Sequence, residues 1–140
     1  MNIKKKQSTL IAETISKQDI VICTALIPGK PAPILINEEM INTMNSGSVI
    51  VDLAVEEGGN CSLSKIGETV IHNNIKIIGH ANFPGLVSRD ASSLYSKNIF
   101  NFLSLIIKKN DNKIHFNWDD EIIKEVVLTY NGDLKLKKFA

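Results

Sequence analysis

Few residues in this 140-residue chain combine a reactive side chain with neighbours that could put it to use. Glu56 and Glu57 stand side by side and run into Gly58 and Gly59. Adjacent carboxylates there can supply a general base, or they can solvate a loop whose glycines let the backbone approach ligand or chain closely. His80 and Asn82 bracket part of a second stretch, "HANFPG". Its asparagine can hydrogen-bond an amide of a ligand or serve as a turn residue before Pro84. His72 and His115 have no partner at a spacing that would make them ligands or bases. Cys23 and Cys61 are too far apart for a metal knuckle and too few for a disulfide framework, so they read as reduced thiols. The third stretch, "CTALIPGKPAPILI" at residues 23–36, has prolines at 28, 31 and 33 directly after an apolar run. Proline neither donates to a ladder nor permits a helix at the residue before it, so this is a stiff loop.

The elements that must position these residues follow from periodicity and punctuation. A short helix is predicted over 8–17, with Leu10, Ile11 and Ile15 on one face. Apolar strands are predicted at 19–25, 48–54 and 75–79. Asn37 is an N-cap for a helix over 38–45, with Glu38 and Glu39 where the helix dipole favours negative charge. Residues 55–74 look poor in helix and mostly loop. A long helix is predicted over 91–108, capped by Asp90 or Ser92, with Leu94, Tyr95, Asn98, Ile99, Phe102, Leu103 and Ile106 at helical spacing. Ile114 to Trp118 alternates as a strand. A hairpin over 125–136 turns at Asn131-Gly132, pairing Val126, Val127 and Leu128 with Leu134 and Leu136.

Strands apolar on both faces and separated by helix-length connections imply a parallel sheet covered on both sides. In such sheets ligands bind at the carboxyl ends of the strands, where all three unusual loops fall. A proline-locked loop there is a preformed wall of a binding crevice. The 16 Lys and Arg against 15 Asp and Glu leave a net charge of +1, which asks for neither nucleic acid nor an anionic membrane. No apolar run reaches the ~20 residues of a membrane span, and Lys4 to Lys6 precede no signal-like apolar stretch, so a cytoplasmic location is expected.

Taken together, "TALIPGKPAPILI", "GSVIVDLAVEEGGNC" and "IIGHANFPG" followed by "ASSLYSKNIFNFL" resemble one family. They are similar to the NAD(H)-binding domain of the alpha subunit of proton-translocating NAD(P) transhydrogenase, whose fold alanine dehydrogenase shares. The similarity runs from Ser8 to Lys108 and continues more weakly into the tail. The family's G-x-G-x-x-G is not found in these 140 residues. The resemblance therefore implies an α/β fold that is half of a Rossmann-type doubly wound sheet, with three parallel strands and helices. Residues 8–90 would be that half, and 91–140 the returning helix with a small C-terminal β unit.

The same resemblance implies NAD(H) as cofactor, bound only in an assembled complex, for hydride transfer from NADH to NADP+ coupled to proton translocation. It assigns cofactor-binding positions to Ala25, Leu26, Ile27, Leu35, Glu56 and Asn82, with no catalytic side chain and no metal. Hydride passes directly between two nicotinamides, so proximity and orientation carry the rate. Glu56 falls where alanine dehydrogenases carry a catalytic-site Asp, and Asn82 where the loop borders the nicotinamide carboxamide. The partners implied are a chain with the glycine-rich half and the membrane and NADP-binding subunits, through which the chain would sit peripherally at the inner membrane. Strand 19–25 would be an edge open to self-association. Alone, the chain is expected to be inactive. The alternatives are a non-catalytic remnant of a truncated gene and an alanine dehydrogenase-like fragment.

Overall fold

The computed structural model describes residues 3–108 and 113–136. The chain forms two compact units, Met1–Leu86 and Val87–Ala140. The first carries helix α1 (Ile3–Ile15), strand β1 (Ile20–Cys23), helix α2 (Glu38–Ile41), strand β2 (Val49–Asp52), strands β3 (Glu68–His72) and β4 (Ile75–Gly79), and the short helix α3 (Phe83–Leu86). Four strands make one sheet in the order β1-β2-β4-β3. Strands β1, β2 and β4 are adjacent and parallel, with Ile20 opposite Val49 and Ile50 opposite Ile77. The predicted parallel core of three strands is thus present, and β1 lies at its edge.

One face of this sheet holds the core. Cys23, Ile50, Ile75 and Ile77 pack with Ile15, Ile36, Met40, Ile41, Met44 and Cys61. Asn37 caps α2 as expected, its Oδ1 accepting from the Met40 N–H at 2.9 Å. Coverage of both faces does not extend to all of β1, where Ile20 and Ile22 are 66% and 63% exposed.

Residues 55–74 depart from the predicted loop. They contain a 3₁₀ turn at Val55–Glu57 and strand β3, which pairs antiparallel with β4. The connection is a two-residue hairpin in which Asn73 and Asn74 both take positive φ, 49° and 62°, as a type I′ turn requires. Nor is His72 without a partner: its Nε2 lies 2.7 Å from Asn42 Oδ1, a residue thirty positions away that spacing could not indicate.

The second unit contains helix α4 (Ser88–Ile106), helix α5 (Glu121–Val126) and the strand pair β5 (Thr129–Tyr130) and β6 (Asp133–Leu134). Asp90 and Ser92 lie inside α4 rather than capping it; its N-cap is Val87, with no side-chain cap bond. Of the residues read at helical spacing on α4, Ile106 is buried and Phe102 half-buried, while Leu94 and Tyr95 are exposed. The Asn131-Gly132 turn joins β5 and β6 as predicted, but the strands are shorter, with Thr129 opposite Leu134. Val126 is helical and Val127 is the C-cap of α5, because Asp120 caps that helix through the Ile122 and Ile123 N–H groups. Ile114 forms an isolated bridge with Ile107, and no strand continues to Trp118. The Phe116, Trp118 and Tyr130 rings instead cluster with centroids 5.0 to 5.5 Å apart.

Candidate functional site

Parallel pairing brings the loops after β1, β2 and β4 to one end of the sheet. The first begins at Thr24, and its prolines have a local purpose. Lys30 N–H donates to the Ile27 carbonyl at 3.1 Å, closing a turn with Pro28 second and Gly29 third. Gly29 has φ +70°, the left-handed value that a type II turn needs at its third position, and Pro28 presets the second. Leu26 and Ile27 on the approach to this turn are 55% and 45% exposed. Ala25 and Leu35 are half-buried, and Leu35 packs against the core.

The second loop is built on Asp52, the last residue of β2 and fully buried. A buried carboxylate is costly unless its oxygens are satisfied. Here Oδ1 accepts from Ala54 N–H at 3.1 Å. Oδ2 accepts from Asn60 N–H at 2.8 Å, Cys61 N–H at 3.0 Å and the Ser64 hydroxyl at 2.7 Å. Wrapping backbone so tightly around an oxygen requires Gly59: with φ +82°, a Cβ there would stand 2.8 Å from Oδ2. Of the close approach anticipated for the glycine pair, Gly59 makes one within the chain, against the Asp52 carboxylate, while a Cβ at Gly58 would meet nothing within 4 Å.

Asn60, equally buried, ties this loop to the first. Its Oδ1 accepts from Ala25 N–H at 2.8 Å, while its Nδ2 donates to the Ala25 carbonyl at 2.9 Å and the Pro33 carbonyl at 2.8 Å. The Asn60 carbonyl in turn accepts from the Leu35 and Ile36 N–H groups at 2.8 and 3.0 Å. A further backbone bond runs from Ala32 N–H to the Glu57 carbonyl at 2.7 Å. Neither Asp52 nor Asn60 was singled out by sequence. The signal available was a polar residue ending an otherwise apolar strand, followed by a glycine pair and an asparagine.

The third loop joins through Glu56. The exposed Oε2 of Glu56 accepts from Asn82 N–H at 3.1 Å. Asn82 has φ +54°, and its Oδ1 accepts from Gly85 N–H at 3.2 Å, so its side chain faces the start of α3. His80 meets Phe83 edge-on at 5.6 Å. Of the six positions assigned from sequence, Ala25, Leu26, Ile27 and Leu35 share one loop, and Glu56 and Asn82 are paired with each other.

Besides Asp52, the buried titratable groups here are the thiols of Cys23 and Cys61. Burial, with the Asp52 carboxylate and Cys61 nearby, pushes the Cys23 thiol up to about 12. Burial also raises Cys61, against the hydrogen bonds it receives from Leu63 and Ser64. Both stay protonated at neutral pH, which suits packing and not nucleophilic attack. Among the described residues no group of three or more His, Cys, Asp or Glu could hold a metal, and no helix is long and apolar enough to cross a membrane. The arrangement offers an apolar, hydrogen-bonded wall on which a ligand can be oriented.

Comparison with known proteins shows the family. The family model described as alanine dehydrogenase/PNT, C-terminal domain, matches residues 1–137. The chain belongs to this family. Within the alanine dehydrogenase/PNT family it is 47% identical, over 129 residues, to a Rhodospirillum rubrum protein named as the first portion of the NAD(P) transhydrogenase alpha subunit, covering 92% of this chain and 34% of the relative. It is 31% identical over 137 residues to the alanine dehydrogenase of Lysinibacillus sphaericus, covering 93% of this chain and 36% of that enzyme. The crystal structure of a transhydrogenase from Sinorhizobium meliloti superposes with a TM-score of 0.70 at 44% identity, over 94% of this chain and 36% of that one. The chain thus spans about a third of the length of the relatives it matches.

Proposed function

We propose that this chain forms the second half of an NAD(H)-binding domain in the alpha subunit of a proton-translocating NAD(P) transhydrogenase. Residues 8–90 carry the nucleotide-facing wall and 91–140 the returning segment. The observation behind the proposal is that the apolar Leu26-Ile27 stretch is held at the carboxyl end of the parallel strands, where such sheets bind ligands, in a chain of this family. In this reading Leu26 and Ile27 lie against the dinucleotide, and Glu56 acts as an acceptor that holds the Asn82 loop, not as a base. The chemistry is then hydride transfer from NADH to NADP+, with orientation supplying the rate. The higher identity to the transhydrogenase subunit, 47% against 31%, favours this over an alanine dehydrogenase role.

A G-x-G-x-x-G turn, which would hold the pyrophosphate at a helix N-terminus, lies outside these residues. NAD(H) binding is therefore a property of the assembled site. The partners are the segment carrying the glycine-rich half, on a separate chain or not, and the membrane and NADP-binding subunits, which hold the protein at the cytoplasmic face. The Rhodospirillum rubrum relative is named as one portion of its alpha subunit, which speaks for an alpha subunit divided among chains.

Calorimetric titration tests the reading. The 140-residue chain should bind NADH in roughly the millimolar range or not at all, a free energy of about −4 kcal/mol or weaker. Mixed with the Rhodospirillum rubrum relative lacking its matched 129 residues, it should bind at micromolar concentration. Micromolar binding by the chain alone, or none by the mixture, would refute it.

A further inference from the structure

We propose that Asn60 is a positioning residue for the dinucleotide, setting through Ala25 and Pro33 where the apolar loop wall stands. This rests on the NAD(H) reading above and assigns a role in it to a residue that touches no part of the exposed wall itself. The argument is one of hydrogen-bond geometry. The Asn60 amide takes both backbone groups of Ala25, accepting from its N–H at 2.8 Å and donating to its carbonyl at 2.9 Å. An antiparallel strand residue would exchange the same pair of bonds, so the side chain stands in for a strand neighbour two residues past the last residue of β1, Cys23. The remaining amide proton goes to the carbonyl of Pro33, the last of the loop's three prolines, at 2.8 Å. Leu26 and Ile27 therefore leave from a backbone point that one amide fixes on both sides of the turn.

Only asparagine meets this requirement. Both amide protons and the carbonyl oxygen are used, and the residue is fully buried, so water cannot substitute for a lost bond. The amide is aimed by its own backbone, whose N–H is held at 2.8 Å by Asp52 and whose carbonyl accepts from Leu35 and Ile36. An aspartate at position 60 would set a carboxylate against two carbonyl oxygens and lose both donations. The alanine variant removes all three side-chain bonds, the acceptance from Ala25 N–H included, without adding a charge.

The test uses the assembled complex, the 140-residue chain with the remainder of the Rhodospirillum rubrum relative, titrated with NADH. Asn60→Asp, or Asn60→Ala where the aspartate does not fold, should raise the NADH Kd at least tenfold. The emission of the NADH that still binds should move toward that of free NADH. A purely structural role would instead lower the number of sites per chain, leaving Kd and emission of each remaining site unchanged. Unchanged Kd and emission in a folded variant overturns the inference while leaving the NAD(H) reading standing. An unsubstituted complex that does not bind NADH overturns both.

Discussion

Gly59→Ala isolates the energetic worth of the buried carboxylate. The substitution does two things at once. It forces an L-residue to φ +82°, which costs about 1–2 kcal/mol. It also places a methyl group 2.8 Å from Asp52 Oδ2, so the carboxylate must retreat by roughly half an ångström to reach ordinary contact. That oxygen accepts three hydrogen bonds between 2.7 and 3.0 Å. Bonds to charged acceptors are worth about 1.5–3 kcal/mol each, so weakening two of them by half adds about 2 kcal/mol. The total of about 3–4 kcal/mol is a large part of the 5–15 kcal/mol typical of a domain. Gly58→Ala is the control, because φ is +101° there but a Cβ would meet nothing within 4 Å. Urea unfolding followed by circular dichroism should show Gly59→Ala less stable than Gly58→Ala by about 2 kcal/mol. Equal losses would mean that the contact with Asp52 carries no weight and that backbone strain accounts for both.

Leu26→Asp should leave stability within about 0.5 kcal/mol, since Leu26 is 55% exposed. In the assembled complex it should weaken NADH binding, because a carboxylate against the apolar wall is desolvated and repelled by the pyrophosphate; unchanged affinity by calorimetry removes Leu26 from the site. The thiols make stability depend on alkaline pH. With Cys23 raised from 9.0 to about 12, the folded chain keeps a proton that the unfolded chain releases. The urea midpoint should therefore fall as pH rises from 9 toward 12, and Cys23→Ala should flatten that fall. Asn131→Pro should abolish the β5–β6 pair, because Asn131 has φ 51° and proline cannot adopt it; persistence of the Thr129–Leu134 cross-strand contact by NMR would refute the turn assignment. Native-state amide exchange should open Ala25 N–H, whose acceptor is 35 residues away, at lower free energy than Cys61 N–H, whose acceptor is nine residues away, and the reverse order would refute that reasoning.

The parts of the fold that sequence made legible are those fixed by local chemistry. Strands β1 and β2 announce themselves by runs of Ile, Val and Cys, and β4 by three isoleucines around a single lysine, while Asn37 caps α2 by the bond its type predicts. Strand β3 escaped notice because it is an edge strand. Glu68, Thr69 and Ile71 are exposed, and its signal lay in the Asn73-Asn74 pair that allows two positive φ values in succession. Val126 and Val127 favoured a strand by type, but Asp120 starts a helix ahead of them and carries the chain through Val126. At the site, the exposed apolar loop was visible because proline is visible. Asp52 and Asn60 were not, since their partners are chosen by the folded sheet: Ala25 lies 35 residues from Asn60.

Sequence separation gives the two buried polar residues different places in the order of folding. Asp52 gathers donors two, eight, nine and twelve residues away, so its cluster closes only short segments of chain. Asn60 closes segments of 27 and 35 residues, and its bonds can form only after β1 has found β2. Loop-closure entropy alone would therefore let the turn around the carboxylate form early and fasten the proline loop last. The same difference should run backward under stress: the proline loop is expected to detach from Asn60 while the Asp52 turn stays whole, so the exposed Leu26-Ile27 stretch would be the first portion of this end of the sheet to be lost.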